Sequence, residues 1–512
     1  MRKWLISSGL LVAVVALLWA PASSRIDAYL RDRVESTLRE DFASELDVAK
    51  FDVSIFPLGV QVEGLVLRHH GRTDVPPLIS IQEFSASARL LEMLFRRPIH
   101  VNKVTARNVH IVIPPRSEQA GGNNNSPPER RKPFPLIADE IYCENVQLDL
   151  LPFQDSRPAR VFRIHSLDLT SGGPGQPMPF QASLTNPTPS GEIQTKGRFG
   201  PWYRDIPALT PVAGEYVFSH ANLDDIKGLG GILSSHGKFS GVLQRIEVDG
   251  ETSTPQFSLD LSNHPVPLET QFHAIVDGTN GNTLLDPVRA RLLSSTIVAR
   301  GGVFKAPGAE HRTVRLQASG KQAKLEDLLF LATKQPKPAM LGFVTFQTEI
   351  DIPPGPESIS KRLQLKGRFE TAQARLTDLN LEEKVAELSR RGSGRVKKAE
   401  RNANTNVISN LTGMFELHEG VMNFSKLTFA VPGALASLDG SYILDQQSVD
   451  FQGTLSLSAK LSQTTTGWKS LLLKAVDPLF KGQNAGTVLP IKVSGTGNHP
   501  EFALDFGRIL KR

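Results

Sequence analysis

Residues 266–276 read Val266-Pro267-Leu268-Glu269-Thr270-Gln271-Phe272-His273-Ala274-Ile275-Val276. Val266, Leu268, Thr270, Phe272, Ala274 and Val276 recur at every second position, with Glu269, Gln271 and His273 among the residues between them. Successive side chains of a strand point to opposite faces, so this period of two describes a strand with one dry face and one wet face. Working outward, the pattern returns at Phe451, Gly453, Leu455, Leu457, Ala459 and Leu461, at Val109, Ile111 and Ile113, at Phe257, Leu259 and Leu261, and at Leu363, Leu365, Gly367 and Phe369. Asp249-Gly250, Asp277-Gly278 and Asp439-Gly440 read as turns, and successive strands are expected to pair antiparallel.

The composition agrees with a chain of many short strands. Among 512 residues there are 41 Gly and 35 Pro, with 40% hydrophobic and 21% charged residues, a profile that can bury a core. The 58 basic and 52 acidic residues give a net charge of +6 spread along the chain. With no concentrated basic stripe and no aromatic RNA-reading motif, nucleic acid is excluded as a partner. Helical spacing is confined to 379–391, 468–480 and a short turn at 90–95, too few helices to cover a long sheet. Polar, breaker-rich 116–132 reads as a linker, and basic 390–406 as a solvated loop.

The amino terminus is built for a membrane. Residues 4–20 carry no charge, follow Arg2 and Lys3, and precede Pro21-Ala22-Ser23. Their length fits a short spanning helix, while Ala20-Pro21-Ala22 resembles a signal-peptide cleavage site; both readings stand. A retained anchor is preferred because Ile26, Leu30, Val34, Leu38 and Phe42 continue at helical spacing. Arg2 and Lys3 hold the amino terminus in the cytoplasm, which places the body outside it.

Chemistry-bearing patterns are missing from the sequence. The single cysteine, Cys143, sits in a strand-like run and reads as an inert, partly buried thiol. His69-His70 occupy adjacent positions that diverge on a strand, unlike zinc ligands. No phosphate-binding loop, G-x-S-x-G or H-E-x-x-H occurs, and the clustered Gly228-Leu229-Gly230-Gly231 reads as a turn. The expectation is no enzyme, no catalytic residue, no metal and no cofactor. One internal match, V-x-G-x-x-x-x-P-x-F-x-L, links 248–259 with 493–504 and suggests a repeated strand-turn-strand unit in which the proline supplies the turn.

Four stretches carry a family resemblance. Residues 56–65 (FPLGVQVEGL) after the anchor are similar to the amino-terminal segment of the AsmA-like family of bacterial envelope proteins, related to TamB and the chorein-type bridge-like lipid transfer proteins. Residues 413–424, 438–442 and 489–496 resemble its carboxy-terminal domain. Alternation alone favours an ordinary β-sandwich, since it does not say what meets the dry face. The resemblance implies instead a mainly β chain: an elongated, curved antiparallel sheet forming an open apolar groove, with an N-terminal transmembrane helix and a few short helices. It divides the chain into an anchor (1–22), an AsmA-like β segment (23–115), a linker (116–133), a central groove (134–375) and an AsmA-like C-terminal domain (376–512).

That resemblance further implies a non-enzymatic protein of the inner membrane with its body in the periplasm, carrying phospholipid toward the outer membrane. Leu268, Phe272, Val276, Phe451, Leu455 and Leu457 are the candidate lipid-facing residues. Membrane phospholipids are the expected partners, with an envelope protein or a second copy at the distal end. The competing expectation is a periplasmic scaffold or chaperone for outer-membrane protein assembly that uses exposed strand edges and conducts no lipid.

Overall fold

The computed structural model describes residues 45–55, 58–68, 77, 79–88, 99–113, 136–150, 160–170, 176–201, 207–305, 311–377, 385–386, 389–390, 393, 408–459, 487–496 and 499–504. These residues are mainly β. Twenty-four strands belong to one open sheet, accompanied by helix α1 (Leu325–Ala332) and the one-turn helix α2 (Ile359–Arg362). The chain forms two compact units, Met1–Ser219 with Lys238–Leu243, and His220–Gly237 with Gln244–Arg512. Among the described residues no helix is long and apolar enough to cross a membrane; 4–20 and 25–42 lie outside them. So do the expected helices at 468–480 and 90–95, the linker 116–132 and His69-His70. Of 379–391, Val385, Ala386, Ser389 and Arg390 are described and helical.

The first unit holds β1 (Glu45–Ile55), β2 (Leu58–Arg68), β3 (Ile79–Ala88), β4 (Ile99–Ile113), β5 (Leu136–Leu150), β6 (Arg160–Thr170), β7 (Met178–Pro187) and β8 (Ser190–Phe199). Most of β9 (Pro211–Asn222) and the end of β11 (Ile232–Val242) also belong to it. From β1 to β8 neighbours pair antiparallel with one exception: β4 and β5 run parallel, Ile99 opposite Leu136 and Ile113 opposite Leu150. This corrects the expected uniform antiparallel succession. A tight turn forces reversal, whereas a parallel pair needs a connection of about a dozen residues or more, which the chain between Ile113 and Leu136 exceeds.

One face of this unit is apolar in two adjacent rows. The first runs Val62, Phe84, Ala106, Cys143, Leu167 and Ala182; the second runs Val48, Leu65, Ile81, Val109, Val146, Ile164, Leu184 and Ile193. Between the rows each of β1 to β6 carries an extra residue. Ala49, Gly64, Gln82, Asn108, Asn145 and His165 fall between the paired registers of β1 to β6. Gly64, Asn108 and Asn145 there have φ of 66°, 50° and 52°. Such a left-handed residue steps the strand by one and restores the apolar side chains to the same face. The amides link strands as well: Asn145 Nδ2 donates to Asn108 Oδ1 at 3.3 Å, and Asn108 Nδ2 to Gln82 Oε1 at 2.8 Å.

The second unit holds β10 (Leu229–Gly230), β12 (Arg245–Leu259), β13 (Val266–Val276), β14 (Thr283–Leu292), β15 (Ser295–Phe304), β16 (Thr313–Lys324), β17 (Met340–Ile352) and β18 (Gln364–Leu376). It continues with β19 (Asn410–His418), β20 (Val421–Val431), β21 (Ala434–Ile443), β22 (Ser448–Leu457), β23 (Thr487–Thr496) and β24 (His499–Leu504). From β12 to β24 each strand pairs antiparallel with the next.

Three turn assignments change. Asp277-Gly278 does sit in a turn, but Asp249-Gly250 lies inside β12 and Asp439-Gly440 inside β21. The reason lies opposite: Gly250 faces Phe272, and Gly440 faces Phe424 and Phe451, so the glycines leave room for rings. Likewise Leu229-Gly230 forms a short strand between Gly228 and Gly231, whose φ values of 102° and 113° make the bends. The internal match also divides. Residues 493–504 form two strands joined after Thr496, whereas 248–259 lie in the single strand β12, with Pro255 at a bulge between Thr254 and Phe257. Between Thr496 and His499 the sequence reads Gly497-Asn498, a two-residue hairpin signal, where the first copy has Thr252-Ser253, with the strand former Thr. Proline therefore supplies the turn in neither copy; within β12 it sits at a bulge, one of the places a sheet tolerates it.

Candidate functional site: an uncharged sheet face

Following the hydrogen-bonded register of the second unit strand by strand defines the candidate site. One row reads Gly250, Phe272, Val288, Ala299, Ala318, Thr348, Gly367, Phe415, Phe424, Gly440, Phe451, Val493 and Phe502. The next row on the same face reads Val248, Ala274, Leu285, Gly301, Leu316, Ile350, Leu365, Leu417, Met422, Tyr442, Val449 and Gly495. Neither row contains a charged residue. Tyr442 is the one ionisable side chain in either, and burial pushes its phenol above the usual value, so it stays protonated near neutrality.

The other face is charged. Its corresponding row reads Arg300, Gln317, Glu349, Lys366, Glu416, Asn423, Ser441, Asp450, Ser494 and Glu501. Ion pairs such as Arg300–Asp286 at 2.8 Å and Arg315–Asp351 at 3.2 Å decorate it. A cleft of about 570 Å³ on this side is lined by Arg300, Arg315, Glu349, Asp351, Lys366 and Glu416. Within it Arg315 pairs with Asp351, and the mixture of both signs selects neither sign of ligand. Exposed pairs of this kind contribute roughly 0–1 kcal/mol each, so their role is to keep this face wet.

Phenylalanine and glycine alternate across the apolar face. Phe369 lies 6.2 Å from Phe415 and 6.3 Å from Phe424, and Phe424 lies 5.9 Å from Phe451, centroid to centroid. These separations fit the tilted and edge-on contacts that aromatic quadrupoles favour. The rings lie over glycines on neighbouring strands. A Cβ on Gly367 would stand 2.7 Å from Phe415 Cζ, and one on Gly440 2.7 Å from Phe451 Cδ1. Any side chain at either position would lift a ring off the sheet.

The six candidate residues fall into two groups. Phe272 and Phe451 share one register row, and Val276 lies on the same face near the Asp277 turn. All three are half-buried, as are Leu268 and Leu455, whereas Leu457 is buried. Leu268, Leu455 and Leu457 lie toward the opposite strand ends, where the face is packed. Leu268 pairs with Leu292 and Thr254, which are 2% and 1% exposed. Helix α1 is fastened beside this end: buried Asp327 accepts from Ser294 N and from the hydroxyls of Ser294 and Ser295, and Phe330 stacks on His264 with centroids 4.3 Å apart. Leu457 forms a buried cluster with Val385, Val431 and Ala434, against which Leu455 packs.

Sequence reasoning missed Phe346, Phe369, Phe415 and Phe424 as members of the site. A usable signal existed, since a glycine in mid-strand facing a phenylalanine on the next strand marks each ring's seat. Cys143 lies in β5 on the apolar face of the first unit, half-buried, and burial pushes its thiol above the usual value. Among the described residues no cluster of His, Cys, Asp and Glu is arranged to hold a metal. No known protein family matches this chain, and no characterised protein matches its sequence.

Proposed function

We propose that this chain is an AsmA-like, membrane-anchored envelope protein that carries phospholipid along an apolar β-groove toward the outer membrane, without enzymatic chemistry. The observation that carries this reading is the uncharged face, continuous in register from β12 to β24, with no second sheet against it among the described residues. In a β-sandwich another sheet would cover that face. A 16-carbon chain crossing water meets a barrier on the order of 12 kcal/mol, at about 0.8 kcal/mol per methylene, and a continuous apolar surface removes most of it. A charged outer face keeps such a conduit in solution. In this reading 4–20 holds one end at the inner membrane and the body lies in the periplasm.

Photo-crosslinking residues placed at Phe272 and Phe451 in living cells test the proposal. Phospholipid adducts are expected at both; adducts to protein alone would overturn it. Amino-terminal sequencing of the mature protein tests the anchor, and a start at Ser23 would remove it. The scaffold reading has one observation of its own: among the described residues β24 pairs only with β23, and its Phe502 is 57% exposed. A partner strand added there would support assembly without conduction.

A further inference from the structure

Two distant loops of the second unit are joined by a polar seam. Ile359 N donates to Lys227 O at 2.9 Å, Lys227 Nζ to Pro356 O at 3.0 Å, and Ser360 Oγ to Asp260 Oδ2 at 2.8 Å. Asp260 N in turn donates to Gly228 O at 3.2 Å, which ties the ends of β10 and β12 into one side of the seam. Gly228 is required twice: its φ is 102°, and a Cβ there would stand 2.9 Å from Ile359 N.

The strand order makes this contact informative. β13 to β16 separate β12 from β17, which at about 4.8 Å per strand is roughly 24 Å across a flat sheet. Asp260 follows one end of β12, while the β17–β18 connection lies at the opposite strand ends, because each intervening pair is antiparallel. Opposite ends of strands this far apart meet only when the sheet between them coils. The strands from β12 to β17 then form a ring closed by the seam. Val266, Ala274, Leu292 and Ala318 are 1%, 3%, 2% and 7% exposed and all lie on the apolar face, so that is the face the coil encloses.

The two kinds of joint in this ring differ. Every strand-to-strand joint is a ladder of backbone hydrogen bonds. The seam has a few separate bonds, and none of Lys227, Gly228, Asp260, Pro356, Ile359 and Ser360 is buried. It is the joint that parts first. We propose that the seam is a side gate on the apolar face: parted, it admits a lipid chain laterally, and closed, it confines the chain to movement along the face. This rests on the lipid-carrying reading and adds a point of entry to it.

The test uses the full chain with Cys143→Ser, Asp260→Cys and Ser360→Cys, bridged by a short bis-thiol crosslinker that reductant cleaves. Uptake of a fluorescent-acyl phospholipid from phosphatidylcholine vesicles is followed with time. Bridging is expected to slow uptake by about tenfold or more, with recovery on reduction, as for a gated step. Ser360→Ala and Lys227→Ala, which weaken the seam without crowding it, are expected to speed uptake several-fold. Equal uptake rates in the bridged, reduced and weakened chains, with binding intact, would overturn the gate alone. A chain that takes up no probe in any of these states would overturn the lipid-carrying reading and the gate together.

Discussion

Phe451 and Leu457 stand on the same face of β22 and meet different neighbours. Leu457, 7% exposed, is packed beneath the helical residue Val385 and against Val431 and Ala434. Phe451 is half-buried, lies over Gly440 and touches Phe424 within its own sheet. The two ends of one strand thus use the same alternation for different purposes. At one end the dry face is a core closed by the connections between strands; toward the other it remains a surface. Apolar alternation says which side is dry, and only the connections decide how much of it is covered.

The sharpest way to break that contrast is to cut into both ends. Leu457→Ala should destabilise the chain by about 2–5 kcal/mol, the range for large-to-small changes in packed cores, measured by denaturant unfolding. Gly367→Val should cost about 1–3 kcal/mol by overpacking, because its Cβ would press on Gln347 O and stand 2.7 Å from the Phe415 ring. If Gly367→Val were neutral, the rings would not be seated on their glycines. Phe451→Ala should cost less, about 1–2 kcal/mol, since the ring is already partly exposed. It should nonetheless weaken phospholipid capture more than Leu457→Ala does in those molecules that remain folded. A reversal of that order would show that the packed end, and not the aromatic row, meets the ligand.

The smallest effect concerns Cys143. Burial raises its thiol, so alkylation at mildly alkaline pH should run slower in the folded chain than in the unfolded one. Across the same range the unfolded chain releases the proton first and binds fewer protons than the folded chain. Stability therefore falls as pH rises past the ordinary thiol range. Removing the thiol with Cys143→Ser should flatten that part of the pH profile.

Much of the fold was legible in the sequence. The run 266–276 announced β13 with its dry side, and the phases of Phe451, Leu455 and Leu457 were equally plain. The errors came from reading glycine locally. Asp439-Gly440 has the chemistry of a turn, but Gly440 answers to rings on two other strands, a demand that one strand's own sequence does not contain. The parallel pairing of β4 with β5 was hidden for a similar reason: a long connection permits either direction. Which candidate residues lie in the open and which in a core depended on where α1 and Val385 settle, and that is a tertiary outcome. The line of extra residues in β1 to β6 was visible as a phase slip, from Val60 and Val62 to Leu65 and Leu67 in β2, and from Ile141 and Cys143 to Val146 and Leu148 in β5.

That line has a consequence for how the chain can vary. Deleting Asn108 alone would leave β4 one residue short of both neighbours, so that the register on one side of the line no longer matches theirs. Deleting its counterparts in the adjoining strands as well would restore the match. Length changes in this part of the molecule are therefore inherited as a set, like a fault line that can be healed only along its whole run. A series of single and matched deletions at Ala49, Gly64, Gln82, Asn108, Asn145 and His165 should show failure for each alone and recovery as the set is completed.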